Sequence, residues 1–400
     1  MSTPDLTKPF PWVGLLTIAA LIFTTVTSEF LPTGLLPDIA KELRVSISQV
    51  GLLITLFAAT VVISTAPLTA LTRRYSRKSL VLVVLVVFIL ANVLAALAPT
   101  YTVLAIARVI GGLAHGLFWA VVGAYTAHLV PKEQLGRAVA ITSAGGTAAF
   151  ILGVPVGTAL GHVVGWRVAF LVIAGIILVL GLLAVKLLPP VQHIETLRTG
   201  EIPLPLRKDR SIPGVILVCV VVVLMMLAHN IFYTYIVPFL TDQTGIDRGA
   251  VAGLLFLYGG AGAIGLVLAG VFADRFPRFG LASAIVVVAL SVLAVGVFRV
   301  NPWVVIPMMV AWSIGFGGAP AMLQTRLLHT ASLRMRDVSA AFLTTSFNIG
   351  IGGGALIGGI LIDRVGIVAL PFVDVAITVL AILVLLFGDL WLRRRATRLA

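Results

Sequence analysis

The chain has little charge and almost no cysteine. Only 11% of its 400 residues are charged, and Cys219 is its one cysteine. A single thiol excludes an intramolecular disulfide, and within Val-Cys-Val-Val we interpret it as a small core residue. The sequence has no His or Cys pair at zinc-binding spacing in a loop and no Gly-x-x-x-x-Gly-Lys phosphate loop. We therefore expect no metal, no cofactor and no enzymatic activity.

Apolar residues dominate instead. They make up 60% of the chain, and the mean hydropathy of +1.14 is far above that of soluble domains. A membrane-spanning helix needs about 20 apolar residues, and roughly twelve such runs are present, which predicts an all-α polytopic membrane protein. The first run is too long for a signal peptide, so we expect it to be retained. The runs are 12–36, 49–71, 79–98, 102–126, 138–163, 166–188, 213–239, 250–272, 280–299, 303–327, 339–362 and 371–392.

The formal net charge of +13 reflects membrane topology better than nucleic-acid binding, because the basic residues lie in short clusters between the apolar runs. With both termini in the cytoplasm, 21 Lys and Arg residues fall inside and 6 outside, and Arg108 lies within a span. We therefore predict a multi-pass protein of the inner or plasma membrane with cytoplasmic termini, in contact with lipid and not with nucleic acid.

The chain also carries an internal duplication. A proline-rich, charged stretch at 189–212 predicts a cytoplasmic linker between two six-span halves, 1–188 and 213–400. Eight identities recur at a constant shift of 201 residues, which favours two parallel repeats with a substrate site between them near the bilayer midplane. The pairs are Pro37/Pro238, Arg74/Arg275, Arg77/Arg278, Gly116/Gly317, His128/His329, Gly153/Gly354, Gly157/Gly358 and Gly165/Gly366.

Glu29 is the most informative residue, because it interrupts the first apolar run. A charged side chain at the bilayer centre costs about 2.5–3.5 kcal/mol, so such residues pair or line water-filled pathways. Arg108 in the fourth span lies at a similar depth: Glu29 is about 10 Å and Arg108 roughly 9 Å below the outer edge. We predict that they approach each other in a cavity and couple protons to transport. The alternative is a structural acid that holds helices together.

The fifth span contains Gly153-Val-Pro155-Val-Gly157-Thr-Ala-Leu-Gly161. Glycines four residues apart form a groove for another helix and Pro155 bends the span, although ordinary small-residue packing gives the same pattern. Together with Arg108 and the duplication, this segment resembles the drug and small-solute proton antiporters of the major facilitator superfamily. These include bacterial sugar, nucleoside and chloramphenicol exporters. The resemblance implies a fold of two pseudo-symmetric six-helix bundles.

The loop after the second span of each half supports the same resemblance. Its second copy reads Gly270-Val-Phe-Ala-Asp274-Arg275-Phe-Pro-Arg278. The first copy has Arg73 where the family has Asp, so a charge relay is not implied there. Asp274 either pairs with a nearby Arg to hold one conformation or is a solvated loop acid.

Polar residues of the second half are candidates for solute binding. His229 and Tyr233 share one face of the seventh span, and Asn230 corresponds to Glu29 by the shift of 201. We predict that these three line the wall of the cavity opposite Glu29. Asn348 is a further candidate whose alternative is an interhelical hydrogen bond, and His115 is a weaker one.

Together these features predict a secondary transporter that exports a small organic solute or drug in exchange for protons by alternating access. One buried carboxylate suits neutral or singly cationic solutes. A proton symporter that imports a nutrient is the nearest alternative, and a non-transporting receptor or scaffold belongs to a different class. We expect a monomer. A channel is disfavoured because duplicated halves suit alternating access.

Overall fold

The computed structural model describes residues 10–72, 75–131, 134–189, 209, 211–275, 280–332 and 335–399, and all regular structure in these ranges is helical. The first half contains α1 (Trp12–Gly34), α2 (Leu36–Leu43), α3 (Ile47–Leu71), α4 (Arg77–Ala96), α5 (Tyr101–Leu129), α6 (Leu135–Ala148), α7 (Val154–Val164) and α8 (Trp166–Leu187). The second half contains α9 (Ile212–Tyr233), α10 (Ile236–Asp242), α11 (Arg248–Arg275), α12 (Gly280–Val297), α13 (Pro302–Gly317), α14 (Ala319–Thr330), α15 (Arg336–Val365) and α16 (Leu370–Leu399).

The predicted all-α membrane fold is confirmed. Within the described ranges, twelve helical segments are long and apolar enough to cross a membrane. Their limits lie within a few residues of the apolar runs: the fifth is Arg137–Val164 and the seventh Ile212–Asp242. The seventh extends three residues beyond its predicted end because α10 follows α9 directly and continues the span.

The fifth span is built from three pieces. A π-helical turn at Ala149–Gly153 joins α6 to α7, and within it the backbone N–H of Val154 donates to the carbonyl of Ala149, five residues earlier. Pro155 follows at once and has no N–H to continue the regular ladder. Single π-helical turns of this kind occur often at functional positions in helices.

Two compact units divide the chain. One contains residues 1–45 and 56–196, and the other contains residues 46–55 and 197–400. The first turns of α3 therefore belong to the second unit, where the Ser48 hydroxyl donates to Asp363 Oδ1 at 2.8 Å and the Thr55 hydroxyl donates to the Gly352 carbonyl at 2.9 Å.

The backbone repeats between the halves at matching positions. Gly165 has φ +91° and its counterpart Gly366 has φ +86°, a region that favours glycine. Each precedes the sixth span of its half: α8 begins at Trp166, and a short 3₁₀ turn at Ile367–Ala369 leads into α16. These two positions, which are 201 residues apart, therefore share a specific turn conformation as well as the same residue type.

Candidate functional site

The polar stretch of α1 that carries Glu29 is buried, and three of its threonine hydroxyl groups bond back to their own helix. Thr24, Thr25 and Thr27 donate to the carbonyls of Ala20, Ile22 and Phe23 at 2.7–3.1 Å. Glu29 retains only 5% of its accessible surface. Because these threonines are satisfied locally, the Ser28 hydroxyl and the Glu29 carboxyl group are the ones that take partners from other helices.

Arg108 is fixed on the backbone of α1. Its Nη1 donates to the Ser28 carbonyl at 3.0 Å and its Nη2 donates to the Glu29 carbonyl at 2.8 Å. Pro32 explains why the first carbonyl is free: a proline at this position has no N–H to bond the carbonyl four residues earlier. The guanidinium also lies 4.3 Å from the centre of the Phe57 ring, a cation–π contact.

The predicted approach of Glu29 and Arg108 takes a different form from a direct ion pair. Arg108 binds main-chain oxygens, and the Glu29 carboxyl group lies against His115, with Oε2 3.3 Å from Nε2. The positive charge of Arg108 still acts on the carboxyl group through space. Glu29 and Arg108 thus lie close together, as their shared depth predicted. Which atoms meet depends on the rotation of each helix and on the Ser28 carbonyl that Pro32 leaves free.

The Nε2 atom of His115 has two close neighbours. Trp119 Nε1 donates to it at 2.6 Å, and Glu29 lies on the same atom. A neutral imidazole nitrogen that accepts a hydrogen bond has one lone pair and no proton. An ionised carboxylate would be repelled by that lone pair, whereas a protonated carboxyl group can donate to it in competition with the Trp119 N–H. The arrangement therefore fits a neutral His115 beside a protonated Glu29.

A small cavity lies next to Arg108 inside the first unit. Its volume of about 10 Å³ is close to the least that holds one water molecule, and Ser28, Asn92, Arg108 and Phe57 contribute to its lining. Ser28 donates to Asn92 Oδ1 at 2.8 Å. Two donors at the site, Arg108 Nε and His115 Nδ1, have no hydrogen-bond partner. Arg108 lines the cavity, so its Nε can donate to a water molecule there.

The glycines of the fifth span pack against α1. A Cβ at Gly153 would lie 1.9 Å from Thr27 Oγ1, one at Gly157 2.7 Å from Leu31, and one at Gly161 2.5 Å from Leu35. The three glycines are spaced by four residues, and so are Thr27, Leu31 and Leu35. The side chains of these three residues therefore fill the glycine groove turn by turn. The helix that carries Glu29 is thus packed on the fifth span, next to its π-helical turn and Pro155.

In the second unit, the predicted solute-binding residues contact helices of that same unit. The His229 ring stacks on Phe316, with centroids 3.6 Å apart, and on Tyr233 at 4.8 Å. Asn230 Nδ2 donates to the Met226 carbonyl at 2.8 Å, and its Cβ lies 2.7 Å from the position of a Cβ at Gly354. Their contact with a solute stays a prediction.

Asn348 and the loop motif complete the predicted set. Asn348 Nδ2 donates to the Thr344 carbonyl one turn earlier at 3.0 Å, and its Oδ1 has no partner. Its amide therefore bonds within its own helix, and the interhelical bond considered from the sequence is not made by this donor. Gly270 faces open space, whereas Arg278 and the side chains of Asp274 and Arg275 lie outside the described part of the chain.

Sequence reasoning missed three contributors to the site. Trp119 lies one turn after His115, a spacing that places the two rings on one helix face. Pro32 lies three residues after Glu29, and its missing N–H was a readable signal for a free carbonyl. Asn92 gave no signal of its own beyond being a polar residue in the third apolar run.

Comparison with known proteins places this site in a family. The Major Facilitator Superfamily model matches residues 18–352 and, in a second match, 218–398. A probable sugar efflux transporter of Helicobacter pylori (strain G27) is 33% identical over 375 residues, which are 94% of both chains. Its counterpart in Helicobacter acinonychis (strain Sheeba) is 32% identical over 370 residues, which are 92% of this chain and 93% of the relative.

Solved structures show the same fold. A bacterial homologue of the human lysosomal transporter Spinster, in an inward-facing and unoccupied conformation, aligns with a TM-score of 0.68 at 16% identity over 96% of both chains. The family and these relatives are transporters, so the chain is a multi-pass membrane transporter and not an enzyme. With a family match over most of its length, the chain belongs to the Major Facilitator Superfamily.

Proposed function

We propose that this transporter exports a neutral saccharide in exchange for protons. The observation that carries the proposal is the buried Glu29 carboxyl group, held between the fixed charge of Arg108 and the Nε2 atom of His115. The relatives named as probable sugar efflux transporters support the direction and the substrate class. Both termini are placed in the cytoplasm by the excess of basic residues in the short loops on that side.

Proton binding and solute binding compete at Glu29. A protonated carboxyl group donates its hydrogen to His115, whereas an ionised carboxylate accepts hydrogen bonds from a solute hydroxyl. Arg108 Nε, which lacks a partner, donates to another hydroxyl oxygen of the same solute. A sugar therefore binds the deprotonated site well, and its release is favoured when Glu29 is protonated. Proton and sugar therefore do not occupy the site at the same time, as antiport requires.

Proton loss also changes a helix contact. When Glu29 is ionised, His115 can carry a proton on Nε2 and donate it to the carboxylate, but Nε2 can then no longer accept from Trp119. The indole N–H of Trp119 must find another acceptor, so the contacts along α5 differ between the two protonation states. A ligand shifts a conformational equilibrium by its differential affinity for the two states, and here the proton supplies that difference.

The glycine groove passes this change to the fifth span. Glu29 lies between Thr27 and Leu31, which occupy the positions next to Gly153 and Gly157. A rotation or translation of α1 that follows a change at Glu29 therefore acts directly on a span bent at Pro155. We include Gly153, Pro155, Gly157 and Gly161 in the conformational machinery on this basis.

The proposal is tested with purified transporter in liposomes that contain a pH-sensitive dye. The liposomes carry an acidic lumen, and a panel of neutral mono- and disaccharides, a monocationic drug and an acidic sugar is added outside. Proton loss from the lumen on addition of a neutral saccharide is the expected result. Proton movement in the same direction as the sugar would indicate the symport alternative, and a response to the drug alone would replace the substrate class.

A further inference from the structure

A second acidic residue is buried in the membrane region of the other unit. Asp374 lies one turn into α16 and has no accessible surface. Its Oδ1 accepts a hydrogen bond from Thr378 of the same helix at 2.9 Å, and its Oδ2 has no partner. The side chain is therefore half satisfied, and only by its own helix.

No cation compensates this acid among the described residues. The shift of 201 that relates the halves carries Arg108 to Met309, which is buried, and Glu29 to Asn230. The second unit thus has an acid in its interior but lacks the arginine that accompanies Glu29 in the first. An unpaired carboxylate in a low-dielectric interior is so costly that such groups take up a proton instead.

The titratable groups around Asp374 come from several helices. Tyr258 of α11 is close enough to interact with it electrostatically, and Tyr233 belongs to the same cluster. His229 of α9 is held between the rings of Tyr233 and Phe316, and α12 carries no titratable residue. Asp363 and Arg364 lie in the last turn of α15, which leads through a short turn into α16, and both are exposed.

Tyr258 offers a hydrogen bond that Asp374 does not yet use. The Tyr258 hydroxyl is buried and has no hydrogen-bond partner, and the same is true of Asp374 Oδ2. Neither atom has a partner here, which fits a carboxyl group without charge. An ionised Asp374 would accept the hydrogen of Tyr258, which offsets part of the cost of its charge.

From these contacts we propose that Asp374 is a second proton-binding site of the transporter, protonated in this structure and stabilised by Tyr258 when it ionises. The proposal rests on proton-coupled export as proposed above, and it adds one proton to each transport cycle. Glu29 alone would exchange one proton for one neutral sugar. With Asp374, two protons would be exchanged, one bound in each unit.

Infrared difference spectroscopy tests the proton directly, without transport. Purified protein in lipid is compared in light and heavy water near neutral pH, and the carbonyl stretch of protonated carboxyl groups is followed in wild type, Asp374→Asn, Glu29→Gln and the exposed control Asp242→Asn. We expect one band to be lost only in Asp374→Asn. A spectrum in which Asp374→Asn retains every band of the wild type would overturn the proposal.

Thr378→Val provides the same test in a chain that keeps Asp374. It removes the hydroxyl that donates to Asp374 Oδ1, so the band assigned to Asp374 should shift in frequency while the Glu29 band stays in place. An unchanged spectrum contradicts a protonated Asp374. This variant serves if Asp374→Asn does not fold.

The proton-to-sugar ratio then separates the two proposals. In the dye-loaded liposomes we expect Asp374→Asn to release half as many protons per sugar as wild type, a twofold decrease, with Asp242→Asn unchanged. An unaltered ratio would exclude Asp374 from the cycle and leave the role of Glu29 intact. Loss of coupling in wild type itself would instead remove the proposed function, while the infrared result would still decide the protonation of Asp374.

Discussion

The packing of α1 on the fifth span predicts a strong effect of a single methyl group at Gly153. In Gly153→Ala the new Cβ would lie 1.9 Å from Thr27 Oγ1, 3.0 Å from Thr27 Cβ and 3.1 Å from Thr27 Cγ2. Three atoms of one β-branched side chain meet the methyl group, so a rotation about χ1 cannot clear all of them. The Thr27 hydroxyl is also bonded to the Phe23 carbonyl at 2.7 Å. The two helices must therefore move apart.

The size of the effect follows from the overlap. Ordinary contacts of a Cβ begin near 3.4 Å, so a gap of 1.9 Å requires a separation of about 1.5 Å. Overpacking of a tight core by a methyl group typically costs about 1–3 kcal/mol. If only one of the two transport conformations keeps this contact, their equilibrium changes by roughly 5–150-fold. Gly175→Ala is the matched control, because nothing lies within 4 Å of a Cβ at that position.

The assay compares thermal unfolding in detergent and sugar efflux from loaded liposomes. We expect Gly153→Ala to lower both the unfolding temperature and the rate of sugar efflux, and Gly175→Ala to lower neither. Thr27→Ala removes Oγ1 and Cγ2, so the double variant Gly153→Ala with Thr27→Ala should recover most of the loss. If Gly153→Ala behaves as Gly175→Ala does, or if Thr27→Ala brings no recovery, the close packing described here does not exist in the functional transporter.

Further predictions concern the groups around Glu29. Arg108→Ala should abolish efflux and lower stability by about 1–3 kcal/mol, because it removes the donors that bond the buried carbonyls of Ser28 and Glu29; Arg108→Lys should recover only part, since one ammonium cannot reproduce the fork that bonds two carbonyls. Pro32→Ala restores an N–H that competes for the Ser28 carbonyl, so efflux should fall without a loss in unfolding temperature, and equal losses in both would contradict the role of that carbonyl. Trp119→Phe removes a hydrogen bond that His115 Nε2 accepts only while Glu29 is protonated, so the pH at which efflux falls by half should move downward; an unchanged pH profile would show that the indole takes no part.

The sequence was a good guide to elements and a poorer guide to partners. Hydropathy placed all twelve spans, because a run of about 20 apolar residues has few other uses. The spacing of Gly153, Gly157 and Gly161 predicted a groove, which the structure fills with α1. Glu29 and Arg108 were rightly judged to lie close together, but their contacts depend on the rotation of each helix, which hydropathy does not encode.

Other predictions concern solute contacts and membrane topology, which the described helices do not determine. His229 and Asn230 contact their own unit, because stacking on Phe316 and a bond to the Met226 carbonyl satisfy them locally. The limits of the two halves at 188 and 213 and the cytoplasmic position of the termini stay predictions. The assignment of residues 46–55 to the second unit could not be expected from a linear division at the linker.

Glu29→Gln tests the central claim most directly. Glutamine keeps the shape of a protonated glutamate but cannot ionise, so the variant should hold the site permanently in its neutral form. In everted vesicles with an acidic lumen we expect wild type to accumulate sugar, and Glu29→Gln to lose gradient-driven accumulation while it still binds and slowly equilibrates sugar. The surface variant Asp242→Asn should match wild type. Normal gradient-driven accumulation by Glu29→Gln would contradict the account, because the coupling proton would then bind elsewhere.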